Sequence, residues 1–143
     1  MSCTNTNTKK PEIISGETDD KYELIWSDEF NYSGLPDSTK WSYNIEGNES
    51  GWGNNEAQNY TYKDMDNAIV DNGILKIIAQ KEKTLDKEYS SARLFSKADW
   101  QYGKIEVNAR LPKAIGTWSA IWMMPENWSF NDNNWPDIGE IDI

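Results

Sequence analysis

The chain has 143 residues, a formal charge of −10 from 24 acidic and 14 basic side chains, and no histidine. With no run of Lys or Arg, that acidity argues against a surface that neutralises nucleic-acid phosphates. The missing His removes Ser/His and Cys/His nucleophile pairs and the commonest zinc ligand, which leaves carboxylates as the main acid/base groups.

Cys3 is the only cysteine, so no disulfide can form within the chain. Met1-Ser2-Cys3 followed by Thr4 to Thr8 looks like the mature end of a bacterial lipoprotein, a lipidated Cys on a polar tether. It reads equally as a Cys in a disordered tail. Residues 1–12 carry no hydrophobic signal region, and no apolar run reaches bilayer length. Residues 1–20 read as a flexible polar leader and residues 21–143 as one folded unit. The location expected is extracellular or an outer-surface lipoprotein, with the leader outside this sequence.

Tyr22 to Trp26 predicts a short strand, followed by a turn-rich stretch through Gly34, Pro36 and Asp37. A long loop holds Gly47, Gly51, Gly53, Asn54 and Asn55, residues that favour turns over helix. Asp71-Asn72-Gly73 predicts a hairpin turn leading into a strand from Ile74 to Ala79, and Ser91 to Ser96 predicts another. Tyr102 to Leu111 shows the clearest alternation, with Ile105, Val107, Ala109 and Leu111 on one face and Lys104, Glu106, Asn108 and Arg110 on the other. Pro112 closes it. Trp118 to Met124 is apolar on both sides, as expected in the middle of a sheet or under a substrate. Neither a repeat nor an amphipathic helix of useful length is present, so the fold class expected is all-β.

The last predicted strand, Ile138 to Ile143, places Glu140 and Asp142 on one face and Ile141 and Ile143 on the other. Two acids on one wall suggest glycosidic-bond chemistry, which calls for a second catalytic carboxylate across the scissile bond. A retaining enzyme holds the two about 5–5.5 Å apart, close to the spacing of alternate strand residues, roughly twice 3.3 Å, once side chains lean. An exposed acidic strand is the plain alternative for these residues taken alone. No turn or polar tail ends this strand, and single-domain sandwiches commonly run to ~200–250 residues, so the expectation is a truncated chain. Eight Trp and seven Tyr against three Phe suit a groove that is apolar on one side and wet on the other, although a sandwich can also bury its indoles as core.

Several segments, in order, resemble the laminarinase branch of glycoside hydrolase family 16. They are Trp26-Ser27-Asp28-Glu29-Phe30, Gly51-Trp52-Gly53-Asn54-Asn55-Glu56-Ala57-Gln58, Ser91-Ala92-Arg93-Leu94, Tyr102-Gly103-Lys104-Ile105-Glu106, Trp118 to Pro125, and Gly139-Glu140-Ile141-Asp142-Ile143. The resemblance implies an antiparallel β-sandwich, a concanavalin A-like jelly roll of two curved sheets, incomplete here, whose concave face takes a polysaccharide, a β-glucan.

It further implies Glu140 as nucleophile and Asp142 as its assistant, with the acid/base one or two positions beyond Ile143, the later one needing a β-bulge. Trp118 and Trp135 resemble groove positions that would stack on pyranose faces, whereas Trp122 fits a core role. Asn54 and Glu56 fall where the family's loop borders the groove. Arg93 could bind sugar hydroxyls or orient Glu140. For these residues a loop turn or a structural salt bridge is the competing role. A structural Ca2+ is implied at Glu29 and the Gly73 carbonyl, with the remaining ligand outside the chain; no cofactor is required for the chemistry.

The activity implied for the parent protein is endo-β-1,3-glucan hydrolysis with retention, by a monomer when full length, the present chain alone being inactive. The alternatives are a noncatalytic glycan-binding sandwich, or a family member acting on β-1,3-1,4-glucan or a galactan, or a transglycosylase. The Gly51 to Gln58 segment tilts the reading to β-1,3-glucan. An incomplete sandwich should expose apolar surface and unpaired strand edges.

Overall fold

A computed structural model describes residues 22–130 and 135–143; the polar leader, with Cys3, lies outside them. The described residues are all-β apart from one 3-10 turn at Gly51–Gly53. Nine strands follow in chain order: β1 (Trp41–Tyr43), β2 (Gln58–Tyr60), β3 (Ala68–Asp71), β4 (Ile74–Ile77), β5 (Gln80–Thr84), β6 (Lys87–Ser91), β7 (Leu94–Ser96), β8 (Trp122–Met123) and β9 (Ile141–Asp142). They form four small sheets: β1-β7, β2-β6-β5, β3-β4 and β8-β9. All pairings are antiparallel except β2 with β6.

The hairpin expected at Asp71-Asn72-Gly73 is present. Asp71 pairs with Ile74 across a two-residue loop, and Asn72 and Gly73 both take positive φ, +55° and +74°. Positive φ at both loop positions is what a tight antiparallel connection needs to match strand twist, and Asn-Gly supplies it cheaply.

The packed part of the molecule centres on Tyr43, Ala68 and Ala92, with Leu94 against them. Beside it Asn67 is fully buried, yet all its amide atoms are used. Its Nδ2 donates to Ile78 O at 3.0 Å and to Ser90 Oγ at 2.9 Å, and its Oδ1 accepts from Thr61 Oγ1 at 2.7 Å. One side chain thus pins three chain segments, because each buried polar atom must find a partner. Asp28 plays the corresponding part for the early segment, accepting from Trp41 Nε1 at 2.8 Å and Tyr32 OH at 3.2 Å.

Several expected strands differ from what the structure holds. Tyr22 to Trp26 forms no strand, and the strand expected over Ser91 to Ser96 is split at Ala92 and Arg93 between β6 and β7. Tyr102 to Leu111 is exposed on both of its alternating faces and belongs to no strand. Alternation says which way each side chain would point once paired; a ladder also requires a neighbouring backbone, and none pairs with this stretch among the described residues. Trp118 to Met124 shrinks to Trp122–Met123, paired on one side with β9, and Trp118 is 75% exposed instead of buried. The expected exposure of apolar surface is present at Tyr102, Ile115 and Trp118.

Candidate active site

Glu140 stands immediately before β9, at the end of a turn over Pro136–Gly139 closed by the Gly139 N–H to Pro136 O at 3.0 Å. Gly139 takes φ +90°, and a Cβ there would meet nothing within 4 Å. Glycine is therefore needed for its backbone freedom and not for space. The turn brings the Trp135 indole N–H onto Glu140 Oε2 at 2.8 Å.

In the β8-β9 register, Trp122 lies opposite Asp142 and Met123 opposite Ile141, with Ile143 N–H donating to Ile121 O at 2.9 Å. Directly opposed residues share a face, so Trp122 and Asp142 point the same way. Trp122 is half-buried there.

The opposing wall is the loop around Trp52. This indole is 5% exposed, its backbone N–H donates to Gly47 O at 2.9 Å, and its Nε1 donates to Asn48 Oδ1 at 3.2 Å. Gly47 is required for close approach, since a Cβ there would sit 2.4 Å from the Trp52 ring. Glu56 accepts from Gln58 Nε2 at 2.5 Å, Tyr60 OH at 3.0 Å and Asn54 Nδ2 at 3.5 Å. Burial, reinforced by the Glu56 charge and hydrogen bond, pushes the Tyr60 phenol up to about 12, so it remains a proton-bearing donor at neutral pH.

Arg93 joins the walls. Its guanidinium carbon lies 3.8 Å from the Trp52 ring centroid, 4.6 Å from Trp122 and 5.8 Å from Trp128, a stack favoured by the attraction of a planar cation to π faces. The Arg93 backbone carbonyl accepts from Asn44 N–H at 3.0 Å, but no hydrogen bond or ion pair reaches its guanidinium among the described residues, so its N–H edge keeps free donors. Burial lowers its proton affinity, and the nearby Tyr60, Glu56, Glu46 and Glu140 oppose that shift.

Of the residues singled out in the sequence, Asn54 and Glu56 are joined on the loop wall, Trp135 and Glu140 on the strand wall, and Arg93 lies between, within electrostatic reach of both acids. Trp118 makes no ring contact among the described residues. One broad open hollow is bordered by all of these, but also by Glu29 and Gly73; the side-chain contacts, and not the shared hollow, single out the site. Sequence reasoning missed Gln58 and Tyr60 as partners of Glu56, although alternation from Glu56 into β2 puts all three on one side. It also missed Trp52 and Trp128 as the seats of Arg93, for which no local signal exists.

Glu29 is exposed and Gly73 sits in the hairpin turn. Among the described residues no group of three or more His, Cys, Asp or Glu could hold a metal. One carboxylate and one carbonyl fall short of the about six to eight oxygens calcium takes, so these residues do not themselves make such a site. No helix among the described residues is long and apolar enough to cross a membrane.

Over residues 30–143 the chain matches the family described as "XgeA-like, catalytic GH16 domain". A β-glucanase of Rhodothermus marinus is 49% identical over 136 residues, which are 92% of this chain and 47% of the relative. A glucan endo-1,3-β-glucosidase of Cryptopygus antarcticus is 46% identical over 125 residues, 84% of this chain and 44% of that protein. Among solved structures, the laminarinase from Rhodothermus marinus superposes with a TM-score of 0.77 at 52% identity, over 84% of this chain and 48% of that one. The chain spans about half the length of the curated relatives it matches.

Proposed function

We propose, from the premise that this chain belongs to glycoside hydrolase family 16, that the whole protein is an endo-acting β-1,3-glucanase working with retention of configuration. The fold is the all-β jelly-roll sandwich of that family. The observation that carries the reading is the strand wall: Glu140 and Asp142 flank Ile141, Trp135 holds one Glu140 oxygen, and Trp122 stands across from Asp142.

In this reading Glu140 attacks the anomeric carbon of a β-linked glucosyl unit. The C–O bond to the leaving sugar breaks, and that sugar's oxygen takes a proton from an acid located beyond Asp142 in the whole protein. Water, deprotonated by the same group, then cleaves the glycosyl ester and frees Glu140. Asp142 keeps negative charge beside the pair and helps the acid hold its proton. The faces of Trp118 and Trp135 stack on pyranose rings, and the free N–H edge of Arg93 donates to sugar hydroxyls. Glu56 has its oxygens engaged by Gln58, Tyr60 and Asn54, so it and Asn54 shape the loop edge of the groove.

Release of reducing sugar from laminarin by the full-length protein, set beside mixed-linkage β-1,3-1,4-glucan and galactans, tests activity and linkage together. Rapid hydrolysis of laminarin with none in the Glu140→Gln protein is expected; equal activity in the two would overturn the nucleophile. For the whole protein we also propose a monomer with lipid on Cys3 and a structural calcium held in part by Glu29 and Gly73. An unmodified Cys3 in the native protein's intact mass would remove the lipid, a dimer on sizing the monomer, and an unchanged melting temperature with chelator the calcium.

A further inference from the structure

The geometry points to Trp135 as a positioning residue for Glu140: its indole N–H fixes Oε2 and leaves Oε1 as the attacking oxygen, while the same ring offers its face to the sugar. This rests on the reading of Glu140 as nucleophile.

An indole N–H is a donor only, with no proton to exchange in the working pH range, so Trp135 cannot serve as acid or base. What it can do is set direction. A carboxylate on a free side chain rotates about its last bond, and each of its oxygens is an equivalent nucleophile in every orientation. The 2.8 Å contact to Oε2 removes that freedom. It is the one side-chain hydrogen bond that reaches Glu140 among the described residues, in contrast to the three on Glu56.

Two further features make the contact specific. The Pro136–Gly139 turn, which requires positive φ at Gly139, folds the chain so that the donor and the acid five residues later meet. And because an indole N–H projects from the ring's edge, Glu140 binds that edge and not a face, while Trp135 is 60% exposed and so keeps open ring surface. A pyranose stacked on the open face therefore lies beside the carboxylate, and covering the pair excludes water from a charge-assisted bond. Binding on the face and aim of the nucleophile become one event.

The test uses the full-length protein with Trp135→Phe, which keeps an aromatic face and loses the donor. A second variant places 3-benzothienylalanine at position 135, where sulfur replaces the N–H and the ring shape is otherwise kept, so that a folding defect in the first cannot obscure the result. The probe is a dinitrophenyl fluoro-glycoside of laminaribiose, which forms the ester with Glu140 as the phenolate leaves. In both variants the rate constant of ester formation should fall about tenfold or more while half-saturation changes less than about threefold. A raised half-saturation with an unchanged rate constant would make Trp135 a sugar platform alone and overturn the proposal.

Independently of activity, the Trp135 indole N–H resonance should move upfield in Glu140→Ala, and an unmoved resonance would also overturn it. Upfield movement in Glu140→Ala, together with wild-type protein that cleaves no β-glucan, would instead overturn the proposed activity and leave the hydrogen bond standing.

Discussion

The two walls that Arg93 joins are built differently. On the loop side, residues 47–60 wrap a buried Trp52, every oxygen of Glu56 has a donor, and the chain folds back through left-handed conformations at Trp52 and Asn55. On the strand side, Trp118, Trp135, Glu140 and Asp142 are all exposed, and Glu140 carries one hydrogen bond. A saturated carboxylate is a fixed part of the scaffold; one with an unengaged oxygen can react. In the proposed reading, that difference separates the acid that does chemistry, Glu140, from the acid that holds shape, Glu56.

Five substitutions break or sharpen that contrast. The largest effect belongs to the strand wall: Glu140→Gln should lower laminarin hydrolysis by the full-length protein by at least about a thousandfold, while Glu56→Gln lowers it by roughly tenfold or less, as read from initial rates. Similar losses in the two would erase the distinction. Next comes Arg93→Met, which keeps an aliphatic stem but removes the cation from three indoles. It should reduce stability by about 1–2 kcal/mol and reduce kcat/KM about tenfold through misalignment of the walls, measured by denaturant unfolding and steady-state kinetics.

Gly47→Ala addresses the loop wall alone. Its new methyl would meet the Trp52 ring at 2.4 Å, and the resulting overpacking should lower stability by about 1–3 kcal/mol, visible as a lower melting temperature.

The smallest effect is electrostatic. The Tyr60 phenol is raised in the folded state from 10.0 to about 12, so its contribution to stability is fully present below pH 10.0 and fades as pH rises toward about 12. Tyr60→Phe should flatten that alkaline decline in a melting-temperature series, and an identical decline in both proteins would show that Tyr60 titrates normally.

What the residues disclosed in advance follows the range of the interaction. The Asn72-Gly73 hairpin is a local matter of turn chemistry and is legible along the chain. The alternation over Tyr102–Leu111 is as clear, yet no ladder forms there among the described residues, because a period-two pattern specifies faces and not partners. The Arg93 stack is illegible for the same reason: Trp52, Arg93, Trp122 and Trp128 meet only once the chain has folded. The Trp135–Glu140 contact lies between these cases. Its turn residues, Pro136 and Gly139, stand in the sequence, but five-residue spacing alone does not say that an indole edge meets a carboxylate.

The central claim is that Glu140 is the group that bonds to the sugar. Incubating the full-length protein with a fluorinated laminaribiosyl fluoride, digesting it and locating the ester by mass spectrometry tests this directly. The account predicts the label on Glu140 alone; a label on Asp142 or Glu56, or active enzyme that accumulates no ester, would contradict it.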